Sequence, residues 1–387
     1  MKINTENLKK DILSPLFLAF EKASFQLLYV GGCVRNSILN AGTTDVDLAT
    51  DATPQHMHKL AKEMDMRAIS TGEAYGTLTF RLERHNFEIT TFRKDIRTDG
   101  RRAVVQFGTS LKEDAARRDF TINALYSNSQ GTLIDPLGII EDVKKQRVCF
   151  IGDAQTRIKE DYLRILRFFR FHAWFGGLKS GIDAEGLAAC AKLGSGLSNV
   201  SKERIGSEFF KLLAASNPAP SLSAMENSGI LKHILPGANA RPLSLLVDLE
   251  KGLKPNALRR LALVGGDQMQ ENLRLSKAII KKIKMLRHLA QSSELPQEHG
   301  YLLGAKAGWD SWLVRCALLE KIATEDEHKK IITSASKNLP VEAADFVDLF
   351  EGSALGAVLR SAQEIWISSN MQLNKSELIT QVLVHNK

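Results

Sequence analysis

Residues 28–54, LYVGGCVRNSILNAGTTDVDLATDATP, decide the fold. The apolar run 25–30 stops at Gly31-Gly32, as a buried strand does when it enters a tight turn. Residues 34–40 then read as a helix, and residues 46–50 as a second strand. Thr53-Pro54 opens another helix, with Thr as its cap and Pro at the first helical position. Carboxylates two residues apart on a strand share a face, so Asp45 and Asp47 can hold one divalent cation jointly. Magnesium takes one or two carboxylates and completes its shell from substrate phosphates and water. Gly31 and Gly32 let backbone N–H groups and the following helix start approach a polyphosphate closely. Arg35, one turn into that helix, is placed to add charge. A bare Gly-Gly is only a turn, and a bare Asp-x-Asp only a solvated strand end. Here Asp45 follows Gly32 by thirteen residues on a strand–turn–helix–strand frame, and the combination points to nucleotide chemistry.

Further along, residues 77–83 and 87–92 read as strands joined across 84–86 as a hairpin. Glu88 has apolar neighbours on both sides, which leaves two readings open: a solvent face, or a side chain turned toward the metal site. Residues 94–102 (KDIRTDGRR) are polar, basic and Gly-containing, hence a mobile loop before a strand at 103–107. In RRDFTIN, residues 117–123, a helical conformation would gather Arg118, Asp119 and Asn123 within one turn. That joins a phosphate-binding fork to groups suited to ribose hydroxyls.

In EDYLRILRFFR, residues 160–170, Asp161, Arg164, Arg167 and Arg170 recur every three residues and wind round a helix. Asp161 offers an acceptor beside the Arg164 donor. Cytosine and adenine present an exocyclic amine beside a ring nitrogen, which matches that order; uracil and guanine reverse it and leave buried groups mismatched. The alternative is an i,i+3 surface ion pair of little worth.

In order and spacing, these segments, with NFEITTFR before them and ERIGSEFF at residues 203–210, resemble the signature motifs of class II tRNA nucleotidyltransferases (CCA-adding enzymes) and their poly(A) polymerase relatives. The resemblance covers about residues 25–212. It implies a polymerase-β-like head with Asp45 and Asp47 as Mg2+ ligands and Glu88 as an acid in the same pocket. Gly31, Gly32, Arg35 and Arg118 then fall at the triphosphate and Asp119 and Asn123 near the ribose. Asp161 and Arg164 match the protein template that reads C and A, with Arg167 and Arg170 in the same pocket. The loop at 94–102 corresponds to one needed for the switch from C to A addition. One departure stands in the motif: Asn36 occupies a position usually acidic, which implies support of loop geometry there. The implied substrates are the tRNA 3′ end, CTP and ATP, with no DNA and no membrane. A bacterial poly(A) polymerase is the nearest alternative, but its Gly-Arg-Arg-Phe-like stretch has no counterpart in residues 71–84. A CC-only or A-only enzyme and an inactive RNA-binding protein are the others.

The rest of the chain fits that reading. Its 387 residues carry 52 Lys+Arg against 44 Asp+Glu, a basic balance compatible with a polyanionic partner. Four cysteines without a CxxC pair read as free thiols in a reducing compartment. Residues 1–20 lack the apolar run of a signal peptide, and no stretch elsewhere is long and apolar enough to span a bilayer, so a cytoplasmic location is expected. From residue 152 onward helical spacing dominates. The expected class is α+β: a nucleotidyltransferase head at 1–150, a helical neck at 151–212, and a helical body and tail at 213–387 that bind tRNA. In residues 274–288, Leu275, Ile279, Ile280, Ile283 and Leu286 form an apolar stripe. Lys277, Lys281, Lys284 and Arg287 face solvent there, as a solvated surface or as contacts to phosphate. Trp309, Trp312 and Trp366 read as core.

Overall fold

A computed structural model of the chain describes residues 1–387 except 43, 44, 100, 101, 178, 294, 386 and 387. It divides into two compact units, Met1–Pro236 with Glu271–Arg274, and Gly237–Gln270 with Leu275–Lys387. The first holds all the strands: β1 Leu27–Val30, β2 Asp47–Thr50, β3 Arg67–Gly72, β4 Thr77–Leu82, β5 His85–Thr91, β6 Arg93–Asp99, β7 Arg102–Phe107, β8 Tyr126–Ser127 and β9 Leu133–Ile134. Seven of them form one sheet in the order β3-β4-β5-β2-β1-β8-β9, and β6 and β7 pair separately. Among the described residues only β2 and β5 pair in parallel, and that pairing sets Asp47 beside Glu88.

Helices α1 Lys10–Lys22, α2 Gly32–Ile38, α3 Pro54–Glu63, α4 Leu111–Ala116 and α5 Ile140–Lys144 accompany the sheet. Leu13, Leu16 and Phe20 of α1 are buried, as are Met57, Leu60 and Ala61 of α3. The expected cap on α3 is present, Thr53 accepting from the His56 N–H. Then follow α6 Ala154–Glu160, α7 Leu163–Phe175, α8 Ala184–Leu193, α9 Lys202–Leu213, α10 Ala219–Asn227 and α11 Ile230–Ile234. Phe168 and Phe171 of α7 pack with Phe120 and Phe150, the Phe150 and Phe168 rings stacked at 5.5 Å. Each buried ring contributes about 1.5–3 kcal/mol. Together they fix α7 against the segment that carries Asp119.

Four local expectations change. Residues 94–99 and 102 are strand and not loop: β6 and β7 pair antiparallel, with Val105 opposite Asp95, Val104 opposite Arg97 and a bulge at Ile96. The tip between them, Gly100-Arg101, lies outside the described residues. The β4–β5 hairpin turns on Glu83-Arg84 alone, since Leu82 already pairs with His85. Residues 117–123 are not helical; α4 ends at Ala116 and a single 3-10 turn covers Thr121–Asn123. Finally, no continuous helix spans 160–170. Asp161 is extended (φ −155°) and accepts from the Leu163 N–H at 3.1 Å, ending α6 and starting α7.

The second unit is helical, with α12 Leu243–Leu249, α13 Ala257–Val264, α15 Lys277–Ser292, α16 Pro296–Leu318, α17 Glu325–Ser334, α18 Gly352–Ser368 and α19 Lys375–His385; the short α14 spans Met269–Leu273. Ile280, Ile283, Leu286 and Leu289 of α15 are buried, and Lys277, Lys281 and Lys284 are exposed. Leu275 precedes the helix, which Ser276 caps. Arg287 turns inward and donates to the carbonyl of Ala262 at 2.9 Å, closing the C-terminal end of α13. Trp312 and Trp366 are buried, while Trp309 is half-buried against His328.

Candidate active site

The turn after β1 puts Gly31 at φ +71°, a conformation that favours glycine, and an added Cβ would lie 3.5 Å from Arg118 Nη1. That distance is ordinary contact, so the positive φ, not a lack of room, is what calls for glycine here. The helix that follows, α2, has only seven residues, so its dipole adds little.

Asp47 opens β2 and Asp45 lies two residues before it, outside the strand; both residues are exposed. Along β5, Phe87, Ile89 and Thr91 are buried and Asn86 and Glu88 point outward. The two readings of Glu88 thus merge: it is on the solvent face, and that face carries Asp47. Partial desolvation raises the Asp47 carboxyl, and the charges of Glu88 and Asp45 add to it, Arg118 opposing. Converging negative charge of this kind suits a divalent cation. Among the described residues no group of three or more His, Cys, Asp and Glu side chains could hold a metal ion. A divalent cation held by these two carboxylates would have to take its remaining ligands from substrate phosphates and water.

A connected polar network lies behind this face. Arg35, only 6% exposed, donates through Nη1 to Asn123 Oδ1, and Asn123 Nδ2 donates to Asp119 Oδ1 at 3.1 Å. Arg167 Nε donates to Asp119 Oδ2 at 2.7 Å. Burial would raise the Asp119 carboxyl, but Arg167 and Asn123 more than offset it and bring it down to about 2. Arg35 does not point freely at phosphate as expected. Its guanidinium covers the Phe175 ring at 3.7 Å, and Asn36 Oδ1 accepts from its Nε and Nη2. Asn36 also donates to the Gly42 carbonyl at 2.9 Å, so this residue does support the loop toward Asp45. Burial and the charge of Arg170 lower the Arg35 guanidinium to about 10.

Arg118 is held by Asp114 at 3.0 Å and donates to Tyr126 Oη at 3.1 Å; Tyr126 Oη donates to Asp114 at 2.6 Å. Asp114 also pairs with Arg117 at 2.7 Å and is 1% exposed. The structure therefore adds Asp114 and Tyr126 to the site. The i,i+4 spacing of Asp114 and Arg118 was a readable signal.

Asp161 and Arg164 are each held, but by other partners. Arg204 of α9 grips Asp161 at 2.7 and 3.3 Å, whereas Arg164 bonds Glu160 and the Arg157 carbonyl. Arg170 pairs with Glu208 of α9 at 2.5 Å and lies over Phe171. Arg204 and Glu208 both lie in the ERIGSEFF segment that the sequence singled out, but no local pattern told which residues they pair with, because each partner lies some forty residues away.

Residues 27–149 match the family model of the poly A polymerase head domain, and residues 181–241 that of the probable RNA and SrmB-binding site of polymerase A. The mouse protein named CCA tRNA nucleotidyltransferase 1, mitochondrial is 34% identical over 96% of this chain and 89% of its own length. The human protein of the same name is 33% identical, covering 98% and 90%. The chain belongs to the CCA tRNA nucleotidyltransferase family. It is thereby a nucleotidyltransferase, and the family extends through both structural units. At the level of fold, the CCA-adding enzyme of Bacillus stearothermophilus, solved with CTP, superposes with a TM-score of 0.72, covering 98% of each chain at 22% identity. The α+β class expected from the motifs is the one observed.

Proposed function

We propose that this enzyme adds C, C and A to the 3′ end of tRNA from CTP and ATP, without a nucleic-acid template, releasing pyrophosphate. The observation that carries the reading is the placement of the Asp45-x-Asp47 carboxylates, with Glu88 in register, on the face served by the Arg118–Asp114–Tyr126 cluster. Asp45 and Asp47 hold Mg2+, and Glu88 tunes their charge. Mg2+ bound there would make the RNA 3′-hydroxyl more acidic and neutralise charge on departing pyrophosphate. Gly31 and Gly32 admit the triphosphate, Arg118 binds it, and Asp114 and Tyr126 hold that guanidinium in place. Asp119 and Asn123, braced by Arg167 and Arg35, face the ribose, and Arg170 completes the pocket wall. Asp161 and Arg164 read the base. In this arrangement residues 1–150 form the catalytic head, 151–212 the base-reading neck, and 213–387 the part that binds tRNA. Four free cysteines, three of them buried, support a reducing compartment, for which we propose the cytoplasm.

The test uses three tRNAs, ending before CCA, after C and after CC, each incubated with single nucleotides and Mg2+. C addition to the first two and A addition only to the third is expected. Long A tracts would mean a poly(A) polymerase, and loss of one step a partial enzyme.

A further inference from the structure

We infer that Arg157 is a positioning residue for base choice, tying the base-reading Arg164 to the backbone that carries Arg118. The inference rests on the functional reading above. Arg157 projects from α6 with only 11% of its side chain exposed. Its Nη2 donates to the carbonyls of two consecutive residues, Arg117 and Arg118, the latter at 2.5 Å. Its Nη1 donates to Glu160 Oε2 at 2.6 Å. That same carboxylate oxygen accepts from Arg164 Nη1, and the Arg157 carbonyl accepts from Arg164 Nη1 at 2.7 Å. Both groups that orient the Arg164 guanidinium are thus part of Arg157 or held by it.

The two ends of this clamp correspond to the two ends of a nucleotide. Arg118 is aimed by Asp114 and Tyr126, but its backbone is pinned by Arg157. The span from base edge to triphosphate is fixed by the nucleotide, so a template made of side chains works only if the span from Arg164 to Arg118 is fixed too. A planar guanidinium that stays charged can reach two carbonyls and a carboxylate together. A lysine keeps the charge but has no fork with which to hold the three groups in one plane.

The experiment compares wild type, Arg157→Lys and Arg157→Met in full-length enzyme. It measures kcat/KM for CTP, ATP, UTP and GTP on one tRNA acceptor per step, together with Tm. Arg157→Met is expected to lower kcat/KM for CTP and ATP by about 10- to 100-fold. UTP and GTP should fall less, narrowing the CTP:UTP ratio about fivefold or more. Arg157→Lys should recover most of the Tm but not the ratio. If the ratios stay at the wild-type value in both variants, Arg157 is a structural brace and the inference is overturned. Should Arg157→Met fail to fold, Arg157→Lys decides alone. A wild-type enzyme that does not add C and A to tRNA would overturn the functional reading instead, a separate outcome.

Discussion

Asp47 is the residue to which the proposed function assigns the chemistry, and the charges of two other carboxylates, Glu88 and Asp45, act on it. Asp45→Ala and Asp47→Ala are each expected to abolish both C and A incorporation while Tm stays near wild type, because neither side chain is part of the core. Single-turnover assays at saturating Mg2+ check this; near-normal incorporation by either variant would contradict the metal assignment. Asp114 behaves differently, being a buried carboxylate that serves two arginines and a tyrosine. Burial raises its pKa, yet Arg118 and Arg117 more than offset that and bring it from 3.8 down to about 2. A depressed carboxyl contributes stability above its unfolded pKa, and the contribution is lost as pH falls from about 4 toward 2. Asp114→Asn should therefore cost about 2 kcal/mol at neutral pH, with the gap to wild type closing in that acid window. Urea unfolding at pH 7, 4 and 2.5 tests it, and a gap independent of pH would refute the ionic account.

The hairpin β6–β7 is the element with the most specific expectation. Arg93 anchors its base by donating to the Tyr75 carbonyl, and Ile96 and Val104 remain exposed along it. Replacing residues 98–101 by a shorter turn should spare C addition and impair terminal A addition. Equal loss of both, measured on tRNAs ending before CCA and after CC, would indicate a general role in folding or RNA binding. The hairpin also shows what a sequence conceals. The frame β1–α2–β2 was legible in local signals: an apolar run, Gly-Gly, Thr-Pro and paired acids. The charges in 94–102 hid the strands, because the sheltered positions Arg93 and Asp95 are charged while the apolar Ile96 is exposed, which leaves no apolar period to read. The parallel pairing of β2 with β5 depends on contacts across some forty residues, and no local pattern encodes that. Asp161 stood out in the sequence as a candidate base reader but not as a helix boundary. Its three-residue spacing to Arg164 mimics a continuous helix, while its side chain caps the next one.

At the scale of the whole molecule, the head motifs were readable because catalysis demands particular residue types, whereas the helical second unit is defined by packing alone. Its least compatible group is His299 of α16, which is 0% exposed, with neither ring nitrogen in a hydrogen bond. The Trp312 ring stands edge-on to it at 5.1 Å, and the Trp312 indole N–H has no hydrogen-bond partner either. Burial pushes the imidazole down to about 4; the Ser293 backbone offsets this only in part, and the charge of Arg315 adds to it. The native state therefore carries His299 neutral, while the unfolded chain protonates it below its ordinary value of 6.5. Between those two values the unfolded state binds one more proton than the native state, so stability falls as pH drops through the window. The full loss is about 3 kcal/mol. Three of the four tryptophans, Trp309, Trp312 and Trp366, lie in this unit, so urea unfolding followed by tryptophan fluorescence reports mainly on it. His299→Leu removes the titrating group and keeps the site apolar. The variant should show a shallower fall in unfolding free energy from pH 6.5 to 4 than wild type, by one proton's worth of slope. Identical slopes would mean that His299 takes up a proton in the folded state, and the buried neutral imidazole would have to be abandoned.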